Sequence, residues 1–340
     1  MTASSTRFGL HTVDLVCDIR ALPPGIADAA TLDWLVGERR IDAPSGRPEA
    51  RLTVRTAAAG GLSLPEALVE KPMAGEGRLR TGRDADGHTV LVMDDAVCLT
   101  LLPRGDALAT VAPAAGRLRP ALVDAMIFGL DHALSSHGQC LAHAACLTTP
   151  DGRGMVMLHA ASGTGKTTTA MALALAGFRL SGDDTTALLA PGDQGQLMAW
   201  GLPRGAKVHR RTADMLPALR HLVKDDGWDR DSEQMIGRAT LRDAGLATSA
   251  GPLPVIGVVS LTRAEDAPGP FTQQGPFDAL DALMRDNISP HPDGFFPGHE
   301  ARFDLFAALV TATRCLRVPV RGHPADVAAT IAGAFGYGPS

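Results

Sequence analysis

HAASGTGKTT, residues 159–168, is a glycine-rich turn with one lysine and a run of threonines. Within it, AASGTGKT (160–167) follows the phosphate-binding loop pattern, with Ala160 in place of the first glycine. Small residues let consecutive backbone N–H groups turn inward and form a nest for phosphate oxygens. Ala161, Ser162, Gly163, Thr164, Gly165, Lys166, Thr167 and Thr168 are the expected cofactor-binding set. Lys166 brings a mobile cation to the β- and γ-phosphates, and the Thr167 hydroxyl can ligate Mg²⁺. Ala160 fits wherever its φ is negative, because the later glycines are the ones that must approach the phosphate. The flanks agree: apolar GMVMLHA (154–160) reads as a strand, and TTTAMALALAG (167–177) as a helix closed by Gly177.

The next strand, FRLSGDD (178–184), ends in Asp183 and Asp184. In a doubly wound sheet, ligands gather at the carboxyl ends of parallel strands, so this pair is expected to face the loop. One carboxylate can organise Mg²⁺ while the other accepts the proton of an attacking hydroxyl. Phosphoryl transfer depends mainly on such positioning and charge neutralisation.

Composition narrows the classes of function. The 340 residues are 45% hydrophobic and only 4% aromatic, so the core must be built from Ala, Leu and Val. A net charge of −5 with no basic block argues against a nucleic-acid partner. Lysine occurs only at Lys71, Lys166, Lys207 and Lys224. The five cysteines are scattered and form no CxxC, which suggests neither a disulfide framework nor a zinc ribbon. Cys140, His143 and Cys146 are spaced by three, which on a strand alternates their faces and suits a shared metal poorly. No apolar run approaches the ~20 residues of a membrane span. MTASSTRFGLHTVDLV lacks the charged and apolar regions of a signal peptide, so no membrane partner and a cytoplasmic location are expected.

The first 125 residues read as a strand-rich α+β domain, with strands in HTVDLVCDI (11–19), RLTVRTA (51–57) and HTVLVMDDAVCLTLL (88–102). ALPPGIADAA (21–30) and KPMAGEGRLR (71–80) connect them, and one helix is expected around Leu32–Gly37. Residues 126–340 read as a second domain with an α/β core. A helical pattern through ALVDAMIFGLDHALSSHG (121–138) stops at Gly138. QCLAHAACLTT (139–149) then reads as a strand and PDGRG (150–154) as a tight turn. Beyond the turn PGDQG (191–195), a helix is expected over 212–223 and a solvated loop over 224–234. VIGVVSLTR (255–263) is a buried strand, residues 276–287 and 301–314 are helices, CLRVPV (315–320) is a strand, and 325–335 is a closing helix.

The stretch from His143 to Asp184 resembles the HPr kinase/phosphorylase family and its smaller HPr-kinase-like relatives. Shared are the "HA" strand (His143, Ala144), the PDGRG turn, an apolar strand, the phosphate loop, a helix and "GDD", in that order and tightly spaced. The match covers residues 139–210 and continues more loosely in element order to the C-terminus. The resemblance implies a phosphate-loop core of the phosphoenolpyruvate-carboxykinase-like type and an ATP-dependent kinase acting on a serine hydroxyl. It makes Asp183 the general base, gives Asp184 and Thr167 to the metal, and places His143 beside the transferred phosphate. LPRGAKV (202–208) is similar to an arginine-bearing segment of that family, which implies phosphate contacts for Arg204 and Lys207. Leu202 stands where the HPr kinases carry a glutamate, so their second metal ligand has no counterpart at that position. ARFDLFAALV (301–310), with Arg302, is a weak candidate for the motif that handles their protein substrate. Regulation through HPr is therefore not implied, and relatives without these features include kinases of serine in small peptide precursors. The family's rings imply a homo-oligomer.

Three readings stay open. The first is a Mg²⁺/ATP-dependent kinase of a protein or peptide hydroxyl, and the second a kinase of a small molecule. The third is a nucleotide-dependent regulator with little catalysis. ATP, GTP and pyrophosphate remain open as donors. A peptide acceptor needs an open groove beside Asp183. A metabolite needs a closed pocket and a lid, for which Lys224–Thr240 is the candidate against a plain solvated loop.

Overall fold

The computed structural model describes residues 4–338, apart from 21, 23–24, 59–60, 72–76, 114–115, 192–194, 250, 264–268 and 289–297. The expected connections at 21–30 and 71–80 and the turn at 191–195 lie partly outside the described residues. The chain forms two compact units, residues 1–140 with 291–301, and residues 141–290 with 302–340.

Alternating apolar residues in the first unit build a nine-stranded mixed sheet. Its strands are β1 (Ser4–Leu10), β2 (Val13–Arg20), β3 (Arg40–Ile41), β4 (Glu49–Thr56) and β5 (Val69–Lys71). β6 (Leu79–Arg83), β7 (Thr89–Met93), β8 (Val97–Leu101) and β9 (Ala107–Val111) complete it. The order is β3-β1-β2-β4-β9-β8-β7-β6-β5, with β4 parallel to both of its neighbours. The apolar run at 88–102 is two strands rather than one. Asp94 and Asp95 both take positive φ, the geometry of a tight hairpin turn, where aspartate is tolerated. Two short helices, α1 (Ala27–Ala30) and α2 (Asp33–Val36), lie between β2 and β3.

Helix α3 (Leu118–Ser135) buries Leu118, Ala121, Leu122, Ala125, Met126, Gly129 and Leu130, the spacing of one helical face. That face packs on β7, β8 and β9, so α3 belongs to the first unit. The boundary therefore falls after Cys140, whereas the sequence pattern had suggested 125. Periodicity identifies a helix but not the sheet that will cover it.

The second unit is also a mixed α/β layer. β10 (Gln139–Ala142), whose last two residues belong to this unit, is followed by β11 (Ala145–Thr148), β12 (Met155–Ala160) and α4 (Lys166–Leu175). Next come β13 (Arg179–Gly182), β14 (Thr186–Leu189), β15 (Met198–Gly201), β16 (Ala206–His209) and α5 (Arg210–Met215). The chain continues through β17 (Glu233–Ile236), α6 (Arg238–Asp243), β18 (Leu253–Arg263), β19 (Thr272–Gln273) and α7 (Pro276–Asn287). The chain closes with α8 (His299–Ala312), which belongs to this unit from Arg302 onward, β20 (Arg314–Val320) and α9 (Pro324–Ala334). The sheet runs β10-β14-β15-β18-β12-β11-β13, and β20 also pairs with β18. β18 pairs in parallel with both β12 and β20. Val156, Leu158 and Ala160 of β12, Val259 and Leu261 of β18, and Leu316 and Val318 of β20 share one buried cluster with α4 and α9.

Two local expectations need correction. QCLAHAACLTT breaks at His143–Ala144 into β10 and β11, which frees His143 from strand pairing. The helix over 212–223 is interrupted at Pro217. Leu216 leaves helical geometry (φ −120°, ψ 77°), and a 3₁₀ turn follows over Pro217–Leu222. Proline lacks the N–H that a helix interior needs and disfavours helical geometry in the residue before it. Asp229 accepts N–H groups from Asp231 and Glu233, and β17 pairs antiparallel with β16.

Candidate active site

The glycine-rich loop leaves the sheet at the end of β12 and enters α4. Ala160 is the last residue of β12 and is not among the positive-φ residues, so the loop tolerates its Cβ. Gly163 (φ 76°) and Gly165 (φ 108°) take the left-handed backbone that an L side chain resists. The Thr164 N–H closes a turn on the Ala161 carbonyl at 3.1 Å. Gly165 is the N-cap of α4 and offers no side-chain hydrogen bond. The first-turn amides of α4 therefore lack a cap, and with the helix dipole they favour an anion.

Lys166, nearly buried, sends its Nζ to Asp184 Oδ1 at 2.6 Å and to His143 Nε2 at 2.8 Å. An ammonium only donates, so Nε2 of His143 must accept, and a neutral ring then carries its proton on Nδ1. That nitrogen lies 3.5 Å from Asp184 Oδ1. Burial, assisted by the Lys166 charge, holds the His143 pKa below its ordinary value against the pull of Asp184 and Asp286. This agrees with the neutral ring. Burial alone would raise the Asp184 pKa, but the Lys166 ammonium, assisted by Arg204, outweighs it and holds the pKa below its ordinary value.

Asp183 is the opposite case. Burial first, and the Asp184 charge second, push its pKa up to about 6. The Thr167 hydroxyl, the Lys207 N–H and Lys166 oppose that rise. Oδ2 accepts the Lys207 backbone N–H at 3.2 Å, while the buried Oδ1 has no hydrogen bond of full geometry. Two adjacent acids thus hold different protonation tendencies, which is the condition for dividing acid–base and metal-binding duties.

Asp183 owes its place to a close crossing of strands. A Cβ on Gly201 of β15 would sit 2.1 Å from the Ser181 carbonyl carbon and 2.2 Å from the Gly182 nitrogen. Only glycine lets β15 pass so near the end of β13.

These groups share one cavity of about 790 Å³, bounded by residues 160–169, His143, Asp183, Asp184, Arg204 and Lys207. The structure therefore gathers the residues expected from sequence around one space. Their contributions differ in kind. The Lys207 ammonium is engaged by Glu233 and stands 3.7 Å from Asp229, so it reaches Asp183 through its backbone. Leu202 is buried and apolar; Glu233 is among the residues lining the cavity, and its carboxylate engages Lys207. Arg302 lies outside the cavity lining and donates to the Asn287 carbonyl at 3.3 Å.

Sequence reading missed Asn287, at the end of α7. Its Oδ1 accepts the His143 N–H at 2.6 Å, and its Nδ2 donates to the Leu283 carbonyl at 2.9 Å. No local signal marks this contact, which joins residues 144 apart. Arg211, Thr212, Met215, Val320, Gly322 and Pro324 also line the cavity and were missed. The one available signal for the last three was that β20 runs parallel beside β18, so its end opens on the same edge as the loop.

No protein-family model matches the chain, and no curated protein matches it in sequence. Among solved structures, the HPr(Ser) kinase/phosphatase from Coxiella burnetii is similar over 57% of this chain and 95% of that one. The identity is 14% and the TM-score 0.33, a likeness that decides neither fold detail nor activity. Among the described residues, no helix is long and apolar enough to cross a membrane.

Proposed function

We propose that this chain is a Mg²⁺/ATP-dependent kinase that transfers the γ-phosphate to a hydroxyl, a serine of a protein or small peptide. The observation behind it is the convergence of Lys166, His143, Asp183 and Asp184 at the uncapped start of α4, within one cavity. The serine-bearing acceptor comes from the family resemblance of residues 143–184.

The residues fit a magnesium nucleotide. The Asp184 carboxylate and the Thr167 hydroxyl are the hard oxygen donors that Mg²⁺ prefers, and the buried Asp183 Oδ1, without a hydrogen bond of full geometry, keeps a lone pair for a proton. When bound, the magnesium nucleotide supplies the phosphoryl group and neutralises charge during its transfer. The loop amides hold phosphate oxygens, and Lys166 exchanges Asp184 for them. Asp184 and Thr167 then serve the cation. Asp183, with its pKa raised to about 6, accepts the proton of the acceptor hydroxyl more readily than an ordinary carboxylate would. The neutral His143 ring accepts from Lys166 and orients it. Arg204 offers paired N–H donors to phosphate oxygens.

The test uses γ-labelled ATP, Mg²⁺ and a size-fractionated extract of the source organism, with Asp183→Asn as control. Label in a protein or peptide fraction that disappears with the variant supports the proposal. Label confined to small molecules replaces it with a metabolite kinase. Tight nucleotide binding with no transferred label replaces it with a regulator.

A further inference from the structure

The face of the central sheet turned away from α4 and α9 carries buried polar groups that lack hydrogen-bond partners among the described residues. Leu158 and Ala160 of β12, Val259 and Leu261 of β18, and Leu316 and Val318 of β20 point towards α4 and α9. Side chains alternate along a strand, so His159, Ser260, Thr262 and Arg317 point the other way. The register aligns His159, Ser260 and Arg317 across β12, β18 and β20, with Thr272 of β19 opposite Arg317. Gln274 continues that pairing on the same face, giving its N–H to the Cys315 carbonyl at 2.9 Å. Ser260 Oγ, Thr262 Oγ1, Arg317 Nε and both amide atoms of Gln274 are buried without a hydrogen bond. His159 Nδ1 is in the same state, 3.4 Å from Asp286 Oδ2. Burial, assisted by Lys166 and His143, holds the His159 pKa below its ordinary value against Asp286, so a neutral ring faces the carboxylate.

Helix α7 lies on this face: it packs against β20, and Asp286 in its last turn reaches His159. Its apolar hold is thin. α4 buries seven of its ten residues, whereas α7 buries two of twelve, Ala279 and Leu283. Phe277, at the start of α7, is 82% exposed. The Arg285–Asp281 ion pair, at 2.7 Å, ties the helix only to itself. The end of the helix is held by Asn287, whose Oδ1 accepts the His143 N–H and whose carbonyl accepts from Arg302.

We infer that α7 is a cover that opens as a unit from an intact sheet, and that its closing sets His143. Closed, the face keeps six polar atoms from water without replacing it; open, water satisfies them. Little apolar burial opposes that exchange. Opening also carries Asn287 away from the His143 N–H and so frees the residue whose ring accepts from Lys166. The motion itself stands on the sheet and the helix, while its effect on catalysis rests on the part His143 plays in the proposed function.

Hydrogen exchange of the intact, unliganded protein, read by mass spectrometry with fragmentation, tests both statements. The α7 amides are expected to exchange at least about 100-fold faster than those of α4 and β12, relative to their intrinsic rates, and the His143 amide to follow α7. Ser260→Ala with Thr262→Val removes two unpartnered hydroxyls and favours the closed state. In that variant α7 exchange slows about tenfold while α4 stays within about twofold, which also shows that it folds. Asn287→Ala removes the tie at the end of the helix and speeds α7 exchange about fivefold. Equal protection of α7 and α4 in the unaltered chain overturns the cover, as does β12 opening together with α7, or α7 exchange that neither variant changes. A His143 amide that exchanges independently of α7 overturns the link to the site. No nucleotide enters these measurements, so the labelling test can fail with the cover standing, and the reverse.

Discussion

Replacing Asp183 by Asn should make the protein more stable, and only above a particular pH. An acid whose folded pKa is raised gives its full stabilising contribution below its unfolded pKa and loses it as pH rises through the folded value. For Asp183 the window runs from the ordinary 3.8 up to about 6. The rise of roughly 2 units corresponds to about 3 kcal/mol of native-state cost once the buried carboxylate is ionised. Asn removes the charge and still accepts the Lys207 N–H, but its new amide donors must find partners among Thr167 and Asp184, which takes back part of the gain. The expected net effect is about 1–2 kcal/mol of added stability at pH 8, shrinking towards zero near pH 4. Urea unfolding in the presence of EDTA, followed by tryptophan fluorescence, measures it; Trp200 is wholly buried in β15 of the same unit. A stability difference of the same size at pH 4.5 and pH 8 would refute the assignment of a burdened carboxylate. A variant that is stable and inactive would also make the labelling control clean.

Three further outcomes are expected. Lys166→Met should weaken ATP binding about 10- to 100-fold in calorimetry, the loss of a charge-assisted contact of roughly 1.5–3 kcal/mol; unchanged affinity would place the phosphates elsewhere. Gly201→Ala should cost on the order of 4 kcal/mol in chemical denaturation, because its Cβ meets backbone that cannot move without parting β13 from β15; a near-neutral result would disprove the close crossing. Asn287→Ala should lower kcat about tenfold with little change in nucleotide affinity, and Asn287→Asp, which keeps the acceptor for the His143 N–H, should restore most of it.

What could be read from sequence was local and periodic. The loop at 160–167, the helix behind it and the acids at 183–184 are contiguous, and each carries its own backbone or periodic requirement. The 3.6-residue stripe of α3 was equally visible, yet not the sheet beneath it, because an apolar stripe is complementary to any apolar face. The break at Leu216 was written in Pro217, and the apolar residues on either side obscured it. His143 illustrates the harder limit. Its residue type and neighbours suggested a site, while the group that holds its backbone, Asn287, lies on a distant helix. Lys207 shows a different limit: sequence offers its charge to a ligand, whereas the fold spends that charge on Glu233 and uses the backbone.

The contact between Lys166 and Asp184 has a thermodynamic consequence. An arriving anion does not meet a bare ammonium; it displaces a carboxylate that is already there. Under the proposed function, displacement leaves Asp184 with less of its charge compensated, with Arg204 still near, which favours a divalent cation beside it. Occupancy of the anion and cation positions is thereby linked through one side chain, and linkage is reciprocal. On that proposed function, whatever factor the cation adds to nucleotide affinity the nucleotide must return to cation affinity, so neither constant would have a meaning independent of the other ligand's concentration.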